Sequence, residues 1–240
     1  MKVVTYNLRF GGKKGLQHWQ RLFDEFNPDL VLAQETHNPQ DYFPGDQFSS
    51  IARMPIWEPN FAKWGSAILC TRHELEPIAL SKFKGNVVGG RISDFSIGGV
   101  TRPLSLFSVH TPGDDYEQNV NEILDCIREV SDGSDMLIGG DFNITVAHRH
   151  QSEGRPNSVR GLAILDRLRK EFGLINAWQA IHPNNDLQQT LRCGKEKTYP
   201  YHCDGIFIPH SWLRHLESCE IATDGWTEMS DHNPVIATFL

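Results

Sequence analysis

The stretch Met136-Leu137-Ile138-Gly139-Gly140-Asp141-Phe142-Asn143 sets the reading of the whole chain. Three apolar residues read as a short buried strand, and the strand runs into two glycines, a carboxylate and an amide. Glycine lets a ligand come close to the backbone. Asp141 stands two residues before Asn143, so on an extended segment both side chains point to one side. The plain alternative is a turn, because Gly, Asp and Asn are the ordinary turn residues.

The pattern repeats outward in both directions. Lys2 to Leu8 reads as a strand that carries Asn7, and the apolar run from Asp29 ends at Gln34-Glu35-Thr36, as a strand covered on both faces should. Leu104 to Val109 leads into His110, Ile206 to Ile208 follows Asp204, and Val235 to Phe239 follows Ser230-Asp231-His232-Asn233-Pro234. Ser66 to Cys70 and Val87 to Ile92 are further strands, with Gly89-Gly90 the expected site of a bend or bulge. Between them lie helical periodicities. Leu16, Trp19, Phe23 and Phe26 form one, stopped by Pro28; Val120, Ile123, Leu124 and Ile127 form a second; Leu162, Leu165, Leu168 and Phe172 form a third, ended by Gly173. Strands interleaved with helices predict a layered α/β protein. No fixed-period repeat, low-complexity segment or linker divides the 240 residues, so the expectation is one domain over 1–240.

Bulk composition narrows the class. Apolar residues make up 39% and charged residues 22%, which fits a globular protein and not a disordered one. No apolar run approaches the roughly 18 residues of a membrane span. Met1 to Asn7 enters a strand without a charged-then-apolar leader, and the cysteines (Cys70, Cys126, Cys193, Cys203, Cys219) are odd in number and widely spaced. Both features predict reduced thiols and a cytoplasmic protein, with a monomer as the default state. A formal charge of −7 argues against a tight, non-specific grip on long nucleic acid, while leaving room for a local basic rim around a metal site.

The polar residues at the strand ends suit one kind of chemistry. Hard divalent cations take oxygen ligands, usually one or two carboxylates with water and substrate phosphate. Glu35 and Asp231 fit that use. A phosphodiester repels an incoming nucleophile, and a metal with an imidazolium neutralises that charge. A carboxylate must then orient or deprotonate water. Each residue also has a plainer reading: a surface carboxylate for Glu35, a turn for Asp141 to Asn143, a cap or turn for Asp231-His232.

Six segments in this order resemble the endonuclease/exonuclease/phosphatase superfamily: Thr5-Tyr6-Asn7-Leu8-Arg9, Gln34-Glu35-Thr36, Ser108-Val109-His110-Thr111-Pro112, Gly140-Asp141-Phe142-Asn143, His202-Cys203-Asp204-Gly205-Ile206-Phe207 and Ser230-Asp231-His232-Asn233-Pro234. That superfamily includes pancreatic deoxyribonuclease, apurinic/apyrimidinic endonucleases, deadenylases, neutral sphingomyelinases and inositol polyphosphate phosphatases. The resemblance implies a four-layer α/β sandwich of two packed mixed sheets flanked by helices. It implies a phosphoesterase dependent on Mg²⁺ or Mn²⁺. Glu35 would ligate the metal with Asn7 and Asp231. Asp141 would activate water, Asn143 would bond a phosphate oxygen or that water, and His232 would meet the scissile phosphate. Asp204 would orient His232, and His110 would lie near the phosphate. Arg9 stands where some nucleases of the family carry Asp, which weakens a specific reading as an apurinic-site endonuclease.

The implied substrate is a phosphodiester in DNA, RNA or a nucleotide-like molecule. Phospholipid or sugar-phosphate esters, and a binding module without turnover, are the alternatives. Arg9, Arg149 and Arg155 are candidate phosphate contacts, the last two in the polar stretch Ala147 to Arg155, which otherwise reads as a solvated loop. Trp57, Trp64 and Trp226 either stack on a base or sugar or pack in the core and rim. Gln189-Thr190-Leu191-Arg192, before the Asp204 strand, is a further candidate for reaching the cleft.

Overall fold

Strand alternation places the site. The structure is a computed structural model that describes residues 1–11, 15–43, 53–60, 63–150, 153, 156–193 and 199–240. In chain order the strands are β1 (Lys2–Gly11), β2 (Leu30–Thr36), β3 (Arg53–Pro59), β4 (Gly65–Cys70), β5 (Glu76–Ile78), β6 (Val87–Ile97), β7 (Val100–His110), β8 (Asp135–Asp141), β9 (Leu174–Asn176), β10 (Asp204–Pro209), β11 (Leu216–Ile221) and β12 (Val235–Phe239). The helices are α1 (Leu16–Phe26), α2 (Tyr116–Glu129), α3 (Val159–Glu171) and the short α4 (Ala177–Ile181). The strands form two six-stranded mixed sheets, ordered β11-β12-β1-β2-β4-β3 and β5-β6-β7-β8-β10-β9.

Between the sheets lies an apolar layer of Val3, Leu30, Leu32 and Ile68 from the first and Val88, Leu104, Leu106, Leu137, Ile206 and Ile208 from the second. Successive side chains on a strand face opposite ways. Asn7 therefore shares the inward face of β1 with Val3 and Thr5, while Val4, Tyr6 and Leu8 pack outward with Trp19 and Leu22 of α1. On β8 the inward positions are Leu137, Gly139 and Asp141; Met136 and Ile138 face α2 and α3. On β10 Asp204 shares the face of Ile206 and Ile208. Register then lines these residues up: His110 is paired with Asp141 across the parallel β7–β8 ladder, and Asp141 with Asp204 across the antiparallel β8–β10 ladder. A one-residue slip would turn each of them into a helix-covered face. Helices and sheets thus form the predicted four-layer sandwich, and no helix among the described residues is long and apolar enough to cross a membrane.

Several expectations need correction. Gly89 and Gly90 do not bulge β6: its pairing with β7 runs unbroken from Val87 to Ile92 and shifts only between Ile92 and Phe95. The glycines instead make room, since a Cβ at Gly90 would lie 2.7 Å from Ile56 Cδ1 on the facing sheet. The segment after Asp141 is not extended; Asn143 sits at φ 53, and its backbone N–H bonds back to Asp141 Oδ1 at 2.9 Å, so the chain turns there. Strands β3, β5, β9 and β11 carry weak apolar signals and pair at or near the sheet edges.

Gly140 is the tightest point beneath the site. A Cβ there would fall on the carbonyl oxygen of Val109, a backbone atom fixed in the β7–β8 ladder, and φ is +153. At Gly133 φ is +83 but nothing lies within 4 Å. Gly140→Ala is expected to lower unfolding free energy by roughly 2–4 kcal/mol through clash and backbone strain. Gly133→Ala should cost about 1–2 kcal/mol, the left-handed penalty alone. Urea denaturation of the two variants against wild type measures both; equal losses would remove the ladder argument.

Candidate active site

The two sheets meet in one amide. Asn7 Nδ2 donates to Glu35 Oε1 on β2 at 3.0 Å and to Asp141 Oδ2 on the other sheet at 3.1 Å. Its oxygen is also engaged, accepting the backbone N–H of Arg9 at 2.8 Å. By simple alternation Glu35 belongs to the outward face with Val31 and Ala33. It faces the site because it sits at φ 50, where the β2–β4 register shifts. Its second oxygen accepts the N–H of Phe10 at 2.8 Å, and Phe10 and Arg9 are themselves at φ 52 and 58. Four of the seven described non-glycine residues with positive φ (Arg9, Phe10, Glu35 and Asn143) thus gather here. Such strain persists where the surroundings over-determine it.

His232 stands on the opposite side of Asp141. Its Nε2 lies 3.7 Å from Asp141 Oδ2, and its Nδ1 lies 3.0 Å from both oxygens of Asp204. Burial works against charge on this imidazole, but the Asp204 and Asp141 carboxylates outweigh it and push His232 up to about 10. Burial also raises Asp204, against the opposing pull of His232, so the pair holds on to a proton. Cys203, beside them, is a buried thiol pushed well above its ordinary range by burial and the neighbouring carboxylates, and it donates to Asp204 at 3.6 Å. Asp141, Cys203, Asp204 and His232 present ligand-type atoms within 4.8 Å of one another.

The remaining predicted residues surround this centre. His110 Nε2 is 3.4 Å from Glu35 Oε1, and its Nδ1 is 3.5 Å from the Asn86 amide. The Asn143 amide donates to Thr111 O at 3.0 Å. Asp231 pairs with Arg9 at 3.1 Å on a more open rim. Arg149 is placed differently from a solvated loop: its side chain is buried, ion-paired to buried Glu153 at 2.8 Å and bonded to Pro200 O at 3.0 Å, with Tyr199 beneath it. It lines a cavity of about 520 Å³ next to Asn143. Arg155 lies outside the described residues.

Sequence reasoning left the bracing residues without roles. Thr190 is fully buried, and its hydroxyl accepts the N–H groups of Cys203 at 3.0 Å and Asp204 at 3.1 Å. Arg192 donates to Asn233 Oδ1 at 2.6 Å and to Ser230 O at 2.7 Å, and Ser230 Oγ donates to Asn7 O at 2.9 Å. These bonds tie the loop carrying Asp231 and His232 to β1 and to the segment before β10. The only sequence signal was the polar run Gln189 to Arg192, which does not say what it holds.

No protein-family model and no curated protein matches the chain. Solved structures do. An AP endonuclease from Archaeoglobus fulgidus superposes with a TM-score of 0.76 at 17% identity, covering 100% of this chain and 99% of that one. The 3' phosphatase NExo from Neisseria, bound to a product DNA hairpin, gives 0.75 at 18% over 100% and 99%. The 3'-5' exonuclease NExo from Neisseria meningitidis gives 0.71 at 19% over the same shares. With the strand order and the two flanked sheets, these likenesses show that the chain has the same fold as these structures, a DNase I-like four-layer α/β sandwich.

Proposed function

We propose that this protein is a divalent-metal-dependent phosphoesterase that hydrolyses phosphodiester bonds in DNA, RNA or a nucleotide-like substrate, using a water activated by Asp141. One observation carries the reading: the Asn7 amide draws carboxylates from two sheets to one point, and the His232 imidazole faces that point from the far side. The neighbours that share the fold are named as an endonuclease, an exonuclease and a 3' phosphatase, which supports the same reaction class.

The side chains present fit a cation. Glu35 and Asp141 meet at Asn7, and Asp141 and Asp204 flank His232, so three carboxylates gather in one place. A divalent ion offsets their charge. Glu35 and Asp231 are hard oxygen donors of the kind Mg²⁺ or Mn²⁺ takes, and Asn7, its oxygen taken by the Arg9 N–H, would support the metal by holding Glu35 through Nδ2. The tighter cluster around Cys203 suits a cation less, because the thiol is held protonated and His232 Nδ1 is occupied by Asp204. When bound, the ion supplies charge neutralisation at the phosphate oxygens. His232, protonated and held by Asp204, donates from Nε2 to a phosphate oxygen as charge develops. Asp141, which meets Asn7 on one side and faces the imidazole on the other, is the carboxylate placed to take the proton from water. The Asn143 N–H on Asp141 Oδ1 aims that carboxylate. His110, Asn143 and Arg9 border the phosphate. The five cysteines are free, which supports a reducing, cytoplasmic setting.

The product hairpin in the Neisseria 3' phosphatase favours one variant of the reading, release of a terminal phosphate from DNA. A panel of plasmid, abasic, single-stranded and 3'-phosphorylated oligonucleotides, assayed with Mg²⁺, Mn²⁺ or EDTA, distinguishes the forms. Metal-dependent cleavage or phosphate release is expected on at least one. Inertness across this panel and across inositol phosphates and sphingomyelin would leave a binding module. Asp141→Asn should lower kcat by about 10²–10⁴-fold, the range of a lost general base, with a cooperative unfolding transition and metal binding retained.

Asp204→Asn removes the main charge that raises His232. Its imidazole should then titrate well below its wild-type position, seen by NMR, with a loss of roughly 10–100-fold in turnover at neutral pH. The sign for stability follows. A raised folded pKa stabilises fully below about 6.5, and that stabilisation is lost as pH rises through about 10. In EDTA, wild type should therefore lose stability from pH 7 to 10 more steeply than Asp204→Asn; parallel curves would mean the imidazole is not charged.

A further inference from the structure

The three tryptophans considered for stacking have different fates. Trp226 is fully buried, stacked on Phe26 and bonded through Nε1 to Glu25 at 3.1 Å. Trp57 Nε1 is tied to Thr36 O at 3.0 Å. Trp64 instead meets Phe10 edge to face, with ring centroids 5.4 Å apart at 67°. Phe10 is 58% exposed and is the residue whose N–H is bound by Glu35.

A lone exposed Phe needs no explanation. This one is aimed. Arg9 and Phe10 both occupy left-handed backbone, which costs an L-residue roughly 1–2 kcal/mol. They are held there by Asn7 Oδ1 and Glu35 Oε2, the side chains that also gather the carboxylates. The Arg9 guanidinium lies 5.6 Å from the Phe10 ring centroid while its Nε pairs with Asp231. Two aromatic rings and a guanidinium on the open rim of a candidate metal ligand are what base stacking uses.

We propose that Phe10, backed by Trp64, is a platform on which an unpaired nucleobase next to the scissile phosphate stacks, so that the enzyme prefers single-stranded or frayed nucleic acid to continuous duplex. Bases within a duplex have both faces occupied and must be unstacked before they can use such a ring. The proposal rests on the phosphodiesterase reading above and adds its substrate class. The ring flanked by a guanidinium edge matches a base, which stacks on both kinds of surface; an acyl chain would use the ring alone.

Kinetics on a single-stranded oligonucleotide and on the same sequence as duplex test this. Phe10→Ala should raise KM for the single strand about 10-fold, the effect of one lost stacked base, with kcat within about twofold. Phe10→Tyr should restore wild-type KM and Phe10→Leu should not. Trp64→Ala should move KM in the same direction. A 2-aminopurine placed beside the scissile position should lose fluorescence on binding to Asp141→Asn protein and keep it when Phe10→Ala is added. A wild type that cleaves but shows unchanged KM in Phe10→Ala, an unquenched probe, or preference for duplex would overturn the platform and leave the phosphodiesterase reading standing. A fall in kcat with KM unchanged would mean that Phe10 only positions Glu35. Loss of vesicle binding in Phe10→Ala with oligonucleotide binding intact would assign the ring to a lipid instead. A wild type that cleaves no nucleic acid would remove both proposals.

Discussion

The Asn7 side chain is the constraint on which the site depends. Its single NH₂ group reaches a carboxylate on its own sheet and another on the facing sheet. That reach is possible only if the sheets keep one offset. The offset is fixed deeper in the sandwich, where Gln34 Nε2 donates to Ser108 Oγ at 3.0 Å and Ser108 Oγ donates to Ala33 O at 3.0 Å, all buried. Hydrogen bonds to charged groups are worth about 1.5–3 kcal/mol, and a buried partner left unmade costs as much again. An apolar layer would let the sheets slide by small amounts. The polar bridge below the site and the amide within it do not.

Charge and backbone strain are linked through the same atoms. Glu35 accepts one bond from Asn7 and one from Phe10, and Phe10 is in left-handed backbone because of the second. The turn after β1 is therefore stabilised by a carboxylate that the chemistry also needs. On the other side, Asp204 and Asp141 hold His232 between them, and Thr190 fixes Asp204 through two backbone N–H groups. The carboxylates are positioned by neutral side chains, Asn7 for Glu35 and Asp141 and Thr190 for Asp204, whose own freedom is removed by burial. Such supports keep a site within the tolerance that catalysis demands.

The sequence shows strand ends well and turns poorly. Asn7, His110, Asp141 and Asp204 were legible because period-two alternation from Val3, Leu106, Leu137 and Ile206 carries each to the inner face. Glu35 was legible as a residue type and not as a direction, since alternation points it outward and only a left-handed kink turns it in. Asn143 failed in the same way: spacing suggested an extended pair with Asp141, and the chain folds back. Strands β3, β5, β9 and β11 take their pairing from neighbours, so short or polar segments such as Glu76–Ile78 have little signal of their own. Thr190 and Arg192 lay in a polar run whose partners are 13 to 41 residues away, and no local pattern announces such bonds.

The residues that make each segment look like an ordinary turn are the ones that make the site. Gly, Asp and Asn favour turns because they tolerate left-handed backbone and bond their own main chain. Asn143 N–H to Asp141 Oδ1 and Arg9 N–H to Asn7 Oδ1 are bonds of this local kind. Each uses one atom of the side chain and leaves the other pointing across the gap, Oδ2 of Asp141 and Nδ2 of Asn7, and those two atoms meet at 3.1 Å. A turn reading and a catalytic reading of these motifs are therefore one geometry seen at two ranges. What separates them is the opposing sheet, which supplies the second partner and takes the site out of water.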